Sequence, residues 1–174
     1  MLPPPVPTRL RSFYKGVGGL TGAMLLGDKE FCAKSRVWLR RFGGNLYCMA
    51  PHIVTCWAGF RRNRGTFVRK ADKMKEVAGA LVADEEVSKV LRFRCEVQMC
   101  FTQVILECSK ERAEAARDKV REESGVTVFS RIRFAEWEGS SDKCCFEWNM
   151  GDLNGGIEVD VFVQAWRAFA KEIL

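Results

Sequence analysis

Histidine occurs only once in these 174 residues, at His52, and no Cys-x-x-Cys is present. No cluster of His, Cys and carboxylates has metal-ligand spacing, which speaks against a zinc centre. Long apolar runs are also scarce. The longest, around Tyr47 to Phe60, contains Pro51 and His52 and falls short of the roughly 18 residues a membrane-spanning helix needs. The opening Met1-Leu2-Pro3-Pro4-Pro5-Val6-Pro7 lacks an apolar h-region and its prolines prevent a helix, so it does not read as a secretory signal. A reducing, cytoplasmic setting with no membrane partner is expected. No RNP, zinc-finger or helix-turn-helix pattern accompanies the net charge of +6, and Phe60 and Phe67 alone make no stacking platform. The densest basic patch, Arg61-Arg62-Asn63-Arg64 with Arg69 and Lys70, is read as a solvated connection or an anion-attracting rim, not as a nucleic-acid surface.

An apolar fraction of 47% can build a core in a chain of one-domain length. The eight cysteines, Cys32, Cys48, Cys56, Cys95, Cys100, Cys108, Cys144 and Cys145, sit in apolar periodic segments without regular spacing. They read as small reduced core residues, with Cys144-Cys145 packed in a strand.

Thr8 to Tyr14 and Thr21 to Leu26 read as two short extended runs joined by a glycine-rich turn that carries Lys15. Asp28 is a good N-cap for a helix from Lys29 to Phe42, which Arg40 and Arg41 suit at its end and Gly43-Gly44 stops. Leu46 to Phe60 is apolar on most faces and predicts a buried helix, and Gly65 separates it from another over Thr66 to Val82. The acidic Asp84-Glu85-Glu86 predicts an exposed turn. Beyond it, strands are expected over Val97 to Leu106, Val126 to Phe134 and Lys143 to Trp148. A helix opened by Ser109 and closed by Gly125 falls between the first two strands, and Gly139 to Asp142 reads as a hairpin tip. The last helix, about Glu158 to Leu174, carries the stripe Phe162, Trp166, Phe169 and Ile173. The order βαββα predicts an α+β layer with helices on one face of an antiparallel sheet, and a domain boundary near Arg92.

Lys15 leaves the apolar Ser12-Phe13-Tyr14 straight into Gly16-Val17-Gly18-Gly19. A phosphate loop needs its lysine after the glycines, and a dinucleotide fingerprint needs glycine where Thr21 stands. An exposed lysine beside a turn and a Schiff-base lysine both remain open. The second requires an amine that is neutral near pH 7, by desolvation from Phe13, Tyr14, Val17 and Leu20 or by a nearby cation.

Ser12-Phe13-Tyr14-Lys15-Gly16 is followed in order by Gly22-Ala23-Met24-Leu25-Leu26-Gly27-Asp28, Phe31, Arg36 and Arg40-Arg41-Phe42-Gly43-Gly44-Asn45. This set resembles the second half of the threonine aldolase and aromatic amino acid β-eliminating lyase family. The later segment ending in Phe146-Glu147-Trp148-Asn149-Met150-Gly151-Asp152 is similar to that family's C-terminal domain. The resemblance implies α/β to α+β architecture, the C-terminal portion of a fold type I pyridoxal-phosphate enzyme. On this reading residues 1–91 are a remnant of the cofactor-binding large domain with connecting helices, and residues 92–174 are a small α+β domain.

The resemblance also implies pyridoxal 5'-phosphate held covalently at Lys15, with Ser12 touching its phosphate, and an amino acid as substrate. The subunits would form a homo-oligomer. In the family the phosphate cup, the ring-stacking side chain and the acidic partner of the pyridine nitrogen all lie upstream of the lysine. A truncated lyase not active alone is therefore expected, or else a non-catalytic partner of a full-length paralogue. Two departures bear on substrate: Tyr47 stands where the family has an arginine, and Cys144-Cys145-Phe146 falls about where it offers an arginine to the substrate carboxylate. Neither side chain supplies a guanidinium fork.

Overall fold

The computed structural model describes residues 8–174, and the proline-rich stretch 1–7 lies outside the described residues. The chain divides into two units, Met1–Thr66 and Phe67–Leu174.

In the first unit β1 (Arg9–Ser12) pairs antiparallel with β2 (Ala23–Leu26), Arg9 opposite Leu26 and Ser12 opposite Ala23. Helix α1 (Lys29–Arg41) starts where the Asp28 carboxylate accepts the Phe31 N–H at 2.7 Å. It ends with Gly43 in the left-handed region at φ 71°, a conformation that lets the Gly43 and Gly44 amides return to the Arg40 and Leu39 carbonyls. Helix α2 (Ala50–Asn63) carries Pro51 in its first turn, where a missing N–H leaves no bond unmade.

The expectation of burial for the 46–60 segment is corrected. Ile53, Val54 and Trp57 are each about three-fifths exposed, and Gly59 and Asn63 are the buried residues of α2. A two-stranded ribbon with two helices has too little sheet to cover an all-round apolar helix. The stacked pairs Trp38–Phe42 and Trp57–Phe60 are likewise exposed. No helix among the described residues is long and apolar enough to cross a membrane.

The second unit runs α3 (Phe67–Ala83), α4 (Val87–Val90), β3 (Leu91–Phe93), β4 (Phe101–Leu106), α5 (Lys110–Ser124), β5 (Cys144–Asn149) and α6 (Val159–Ile173). Its antiparallel sheet has the order β3-β4-β5, with Leu91 opposite Leu106 and Leu106 opposite Cys144. Alternation then puts Leu91, Val104, Leu106, Cys144, Phe146 and Trp148 on one face. They join Met74, Val77 and Leu81 of α3, Ala113, Ala116 and Val120 of α5, and Trp166, Phe169 and Ile173 of α6 in a continuous core. The α6 stripe is therefore the inner face of its helix. Ser109 and Gly125 bound α5 as its spacing predicts: the Ser109 hydroxyl accepts the Arg112 N–H, and Gly125 sits at φ 72°.

Three sequence expectations change here. The element order from Leu91 is ββαβα, because β3 is three residues long and directly follows α4, too short to show alternation. The 126–134 segment is not a strand. Val128 and its neighbour Phe129 are both buried, Phe129 stacks on Phe146 at 5.0 Å, and Phe134 alone bridges to Cys145. The hairpin turns earlier than expected. Trp137 and Ser140 exchange both backbone bonds, around Glu138 and Gly139 at φ 54° and 75°, the left-handed pair that a two-residue hairpin loop requires. The composition change near Arg92 falls inside this unit, where helix gives way to sheet.

Asp84 is buried, not part of an exposed turn. Its carboxylate accepts the Val87 and Glu86 N–H groups at 3.0 and 3.1 Å and meets Arg167 Nε at 2.6 Å. The Val87 N–H, helped by Arg167 and the Glu86 amide, outweighs burial and holds the carboxyl below its ordinary range. A depressed folded-state pKa stabilises above the ordinary carboxylate range, and that contribution fades as pH falls through the folded value. Asp84→Ala is expected to cost about 1–2 kcal/mol near neutral pH, with the gap from wild type narrowing by about pH 3. Urea unfolding at both pH values checks this, and a gap that is constant with pH would refute the ionic part.

Gly79 sits inside α3, and a Cβ placed there meets nothing within 4 Å. Packing gives no reason for the glycine. Gly79→Ala should stabilise the unit by about 0.5–1 kcal/mol, seen as a raised denaturation midpoint.

Candidate functional site: the Lys15 turn

The connection from β1 to β2 is a hydrogen-bonded turn. The Phe13 N–H donates to Gly22 O at 2.9 Å, the Gly19 N–H to Phe13 O at 2.7 Å, and the Gly18 N–H to Lys15 O at 2.9 Å. Helix α2 holds its far side. The Asn63 amide donates to Val17 O at 2.9 Å, the Cys56 thiol to Thr21 O at 3.0 Å, and Thr55 Oγ1 accepts the Leu20 N–H at 3.2 Å.

The glycines make this approach possible. A Cβ on Gly59 would meet the Val17 carbonyl oxygen and the Gly18 backbone, and one on Gly19 would lie 2.7 Å from Cys56 Sγ. Gly18 is at φ 77°, which favours glycine. Gly18 and Gly19, which follow Lys15, therefore serve backbone packing on α2. That contact is long in sequence and left no local signal.

Lys15 projects from this turn into solvent. Its ammonium lies 6.0 Å from the Tyr14 ring centroid and makes no ion pair among the described residues. Ser12, the last residue of β1, is half-buried. Desolvation by the flanking Tyr14 and Leu20 is not realised, since both side chains are exposed.

A groove of about 450 Å³ lies between the β2 region and α2, lined by Phe13, Met24, Met49, His52, Trp57 and Phe60 among others. Neither Ser12 nor Lys15 lines it. His52, which sequence reasoning set aside, does, and its Nδ1 is buried with no hydrogen-bond partner. No group of three or more His, Cys, Asp or Glu side chains could hold a metal among the described residues.

The two substrate-related departures are placed as follows. Tyr47 is fully exposed, and Cys144 and Cys145 are fully buried. Burial pushes the Cys145 thiol up to about 11. Cys145 shares a sheet row with Ile105 and Arg92. The Arg92 guanidinium is committed to Glu107 and Glu138, each at 2.8 Å, so it offers no free fork. Of the basic patch, Asn63 is buried and Lys70 is buried against Asp152 at 2.7 Å.

As for pyridoxal phosphate, the residues present fit in one respect. Lys15 is a primary amine without an ionic partner among the described residues, on a turn whose backbone is fixed from both sides.

No protein-family model and no curated protein matches the chain. Solved structures do. A candidate L-allo-threonine aldolase from Listeria monocytogenes EGD-E aligns with a TM-score of 0.78 and 27% identity, over 95% of this chain and 44% of that one. A candidate aromatic amino acid β-eliminating lyase/threonine aldolase from Exiguobacterium sp. 255-15 aligns with a TM-score of 0.70 and 23% identity over the same shares, a likeness of fold alone. The chain spans less than half the length of these neighbours. Its architecture is that of the C-terminal part of fold type I enzymes. The ordered Lys15-to-Asn45 residues lie on a strand pair and a capped helix, and the chain is similar in structure to a C-terminal half of these threonine aldolase and aromatic amino acid β-eliminating lyase neighbours.

Proposed function

We propose that these residues are the C-terminal half of a pyridoxal-phosphate-dependent amino acid lyase of the threonine aldolase or β-eliminating type, and that they are not active alone. The fixed placement of Lys15 on the β1–β2 turn supports this reading most directly. Lys15 is the residue that would hold the cofactor, with the Ser12 hydroxyl toward its phosphate, as the end of a cofactor-binding domain over residues 1–91. When bound, the cofactor serves as an electron sink while a bond at the substrate Cα breaks.

The chain's own contribution is to position the amine. Three turn bonds and three from α2 fix the backbone around Lys15, which sets the point from which its amine is presented. Exposure of that amine argues against catalysis by this chain alone, because nothing here encloses a cofactor or keeps water from it. The missing enclosure would come from a homo-oligomer or a full-length paralogue, in the cytoplasm, with an amino acid as substrate.

The alternative is a non-catalytic subunit that dimerises with such a paralogue. The exposed Trp38, Phe42, Trp57 and Phe60 favour a partner in either case.

Absorbance with added pyridoxal phosphate, before and after borohydride reduction, tests the assignment. One modified site at Lys15, lost in Lys15→Ala, is expected. Labelling spread over surface lysines and unchanged by the substitution would sink the cofactor role.

A further inference from the structure

Ile105 and Cys145 are 1% and 0% exposed, yet neither belongs to the core cluster of the second unit. Alternation gives the reason, because both point to the sheet face opposite that of Leu106 and Cys144. The helices pack with Leu106 and Cys144, so Ile105 and Cys145 need another cover.

The strand register identifies it. Arg92 is opposite Ile105, Ile105 is opposite Cys145, and Cys145 is bridged to Phe134, so these residues form one row about 14 Å long across the sheet. The chain leaves this row at Phe134, on the β5 edge. Further along, the Glu138 carboxylate accepts from Arg92 Nη2 at 2.8 Å, at the β3 end of the same row. Trp137 follows the same path: the guanidinium of Arg94, on the Arg92 face, lies 5.4 Å from its ring centroid and is braced by Gln103 Oε1 at 2.6 Å. Residues 134–138 therefore return across the row, over Cys145 and Ile105.

The far end is fastened by charge. Glu107 takes Arg92 Nε at 2.8 Å and Lys143 at 3.0 Å, and Lys143 reaches Glu138 at 3.9 Å, which completes a ring of alternating charges. All four side chains are partly exposed, so salt screens the ring. Seating the tip also has two costs. Glu138 is the one non-glycine residue at positive φ among the described residues, at 54°. Trp137 Nε1 is buried with no hydrogen-bond partner, and an unmade bond of this kind costs about 1–3 kcal/mol. Release relieves both.

We propose that residues 134–140 are a strap, fastened across the outer sheet face by Glu138 on Arg92 and Trp137 under Arg94, that opens under charge screening while the unit stays folded. Opening uncovers Ile105 and Cys145 and leaves the core on the other face intact. The hinge is at Phe134, where the backbone bonds between residues 133–134 and Cys145 do not depend on charge.

Cys145 reports the open strap, and Cys144, its neighbour on the core face, reports unfolding of the whole unit. The whole chain is labelled with iodoacetamide under native conditions at about 0.01 M and about 1 M sodium chloride, where the screening length falls from about 30 to about 3 Å. Fragment-ion spectra separate the two sites, and each rate is divided by that of the urea-unfolded chain at the same salt. Cys145 is expected to label faster than Cys144 and to gain about 2- to 5-fold at the higher salt, the range an exposed ion pair supports. Glu138→Gln should raise the low-salt rate by a similar factor and remove most of the salt response, with Cys144 unchanged. Equal rates at Cys144 and Cys145 in wild type would mean that the segment opens only when the unit unfolds. A Cys145 rate indifferent to both salt and Glu138→Gln would mean that charge does not fasten it, and either result overturns the proposal.

Discussion

Trp166→Ala is expected to cost the second unit about 3–5 kcal/mol, the usual range for deleting a large aromatic side chain from a core. Trp166 is 1% exposed. Its ring lies 5.9 Å from both Phe146 and Trp148, 5.2 Å from Phe169 and 6.4 Å from Phe129. It therefore joins helix α6, strand β5 and the irregular 126–134 segment. Truncation loses the transfer term and leaves a hole that four ring neighbours on three separate segments cannot easily close. Val161, on the same helix but 43% exposed, is the control, and Val161→Ala should shift stability by no more than about 0.5 kcal/mol. Denaturant unfolding followed by far-UV circular dichroism compares them. Equal midpoints for the two variants would mean that this aromatic cluster does not hold the unit together.

Gly59→Ala should have the largest effect in the first unit. Alanine suits a helix, so propensity alone predicts a small gain. The added Cβ, however, would meet the Val17 carbonyl oxygen and the Gly18 backbone, and neither can turn aside as a side chain would. Overpacking of this kind costs about 1–3 kcal/mol. The cost falls on the turn that carries Lys15, because the bonds from Asn63, Cys56 and Thr55 depend on the same close approach. Trypsin cleavage after Lys15 tracks the population of the open turn, and it should accelerate on the order of 10- to 100-fold. Unchanged cleavage would show that the turn holds itself without α2.

Local chemistry was readable in the sequence. Asp28, Ser109, Gly43 and Gly125 act within one helical turn of their own position, and the structure places each at the helix end that its residue type predicts. The α6 stripe was equally legible, because burial on one face writes a 3.6-residue period into sixteen consecutive positions or so. What failed was non-local. Asp84 looked like part of a solvated acidic run because its partner, Arg167, lies 83 residues away. The alternation of Val126, Val128, Ile132 and Phe134 suggested a strand. Phe129 broke it by joining an aromatic cluster that exists only once β5 and α6 are in place.

The same division holds at the candidate site. Lys15 stood out because apolar residues on one side and glycines on the other are a local pattern. The purpose of those glycines was hidden, since Gly18 and Gly19 answer to Cys56, Gly59 and Asn63, some forty residues on.

The first unit holds its shape with hydrogen bonds and helix caps, and among its described residues only Gly59 and Asn63 are buried. Heat capacity rises on unfolding chiefly when apolar surface is newly wetted. Melting of this unit would wet half-buried side chains such as Phe13, Val17 and Phe31 but no closed core, so its stability curve should be flatter than that of the second unit. The curvature of the whole chain's thermogram, and any tendency to unfold in the cold, would belong chiefly to the second unit.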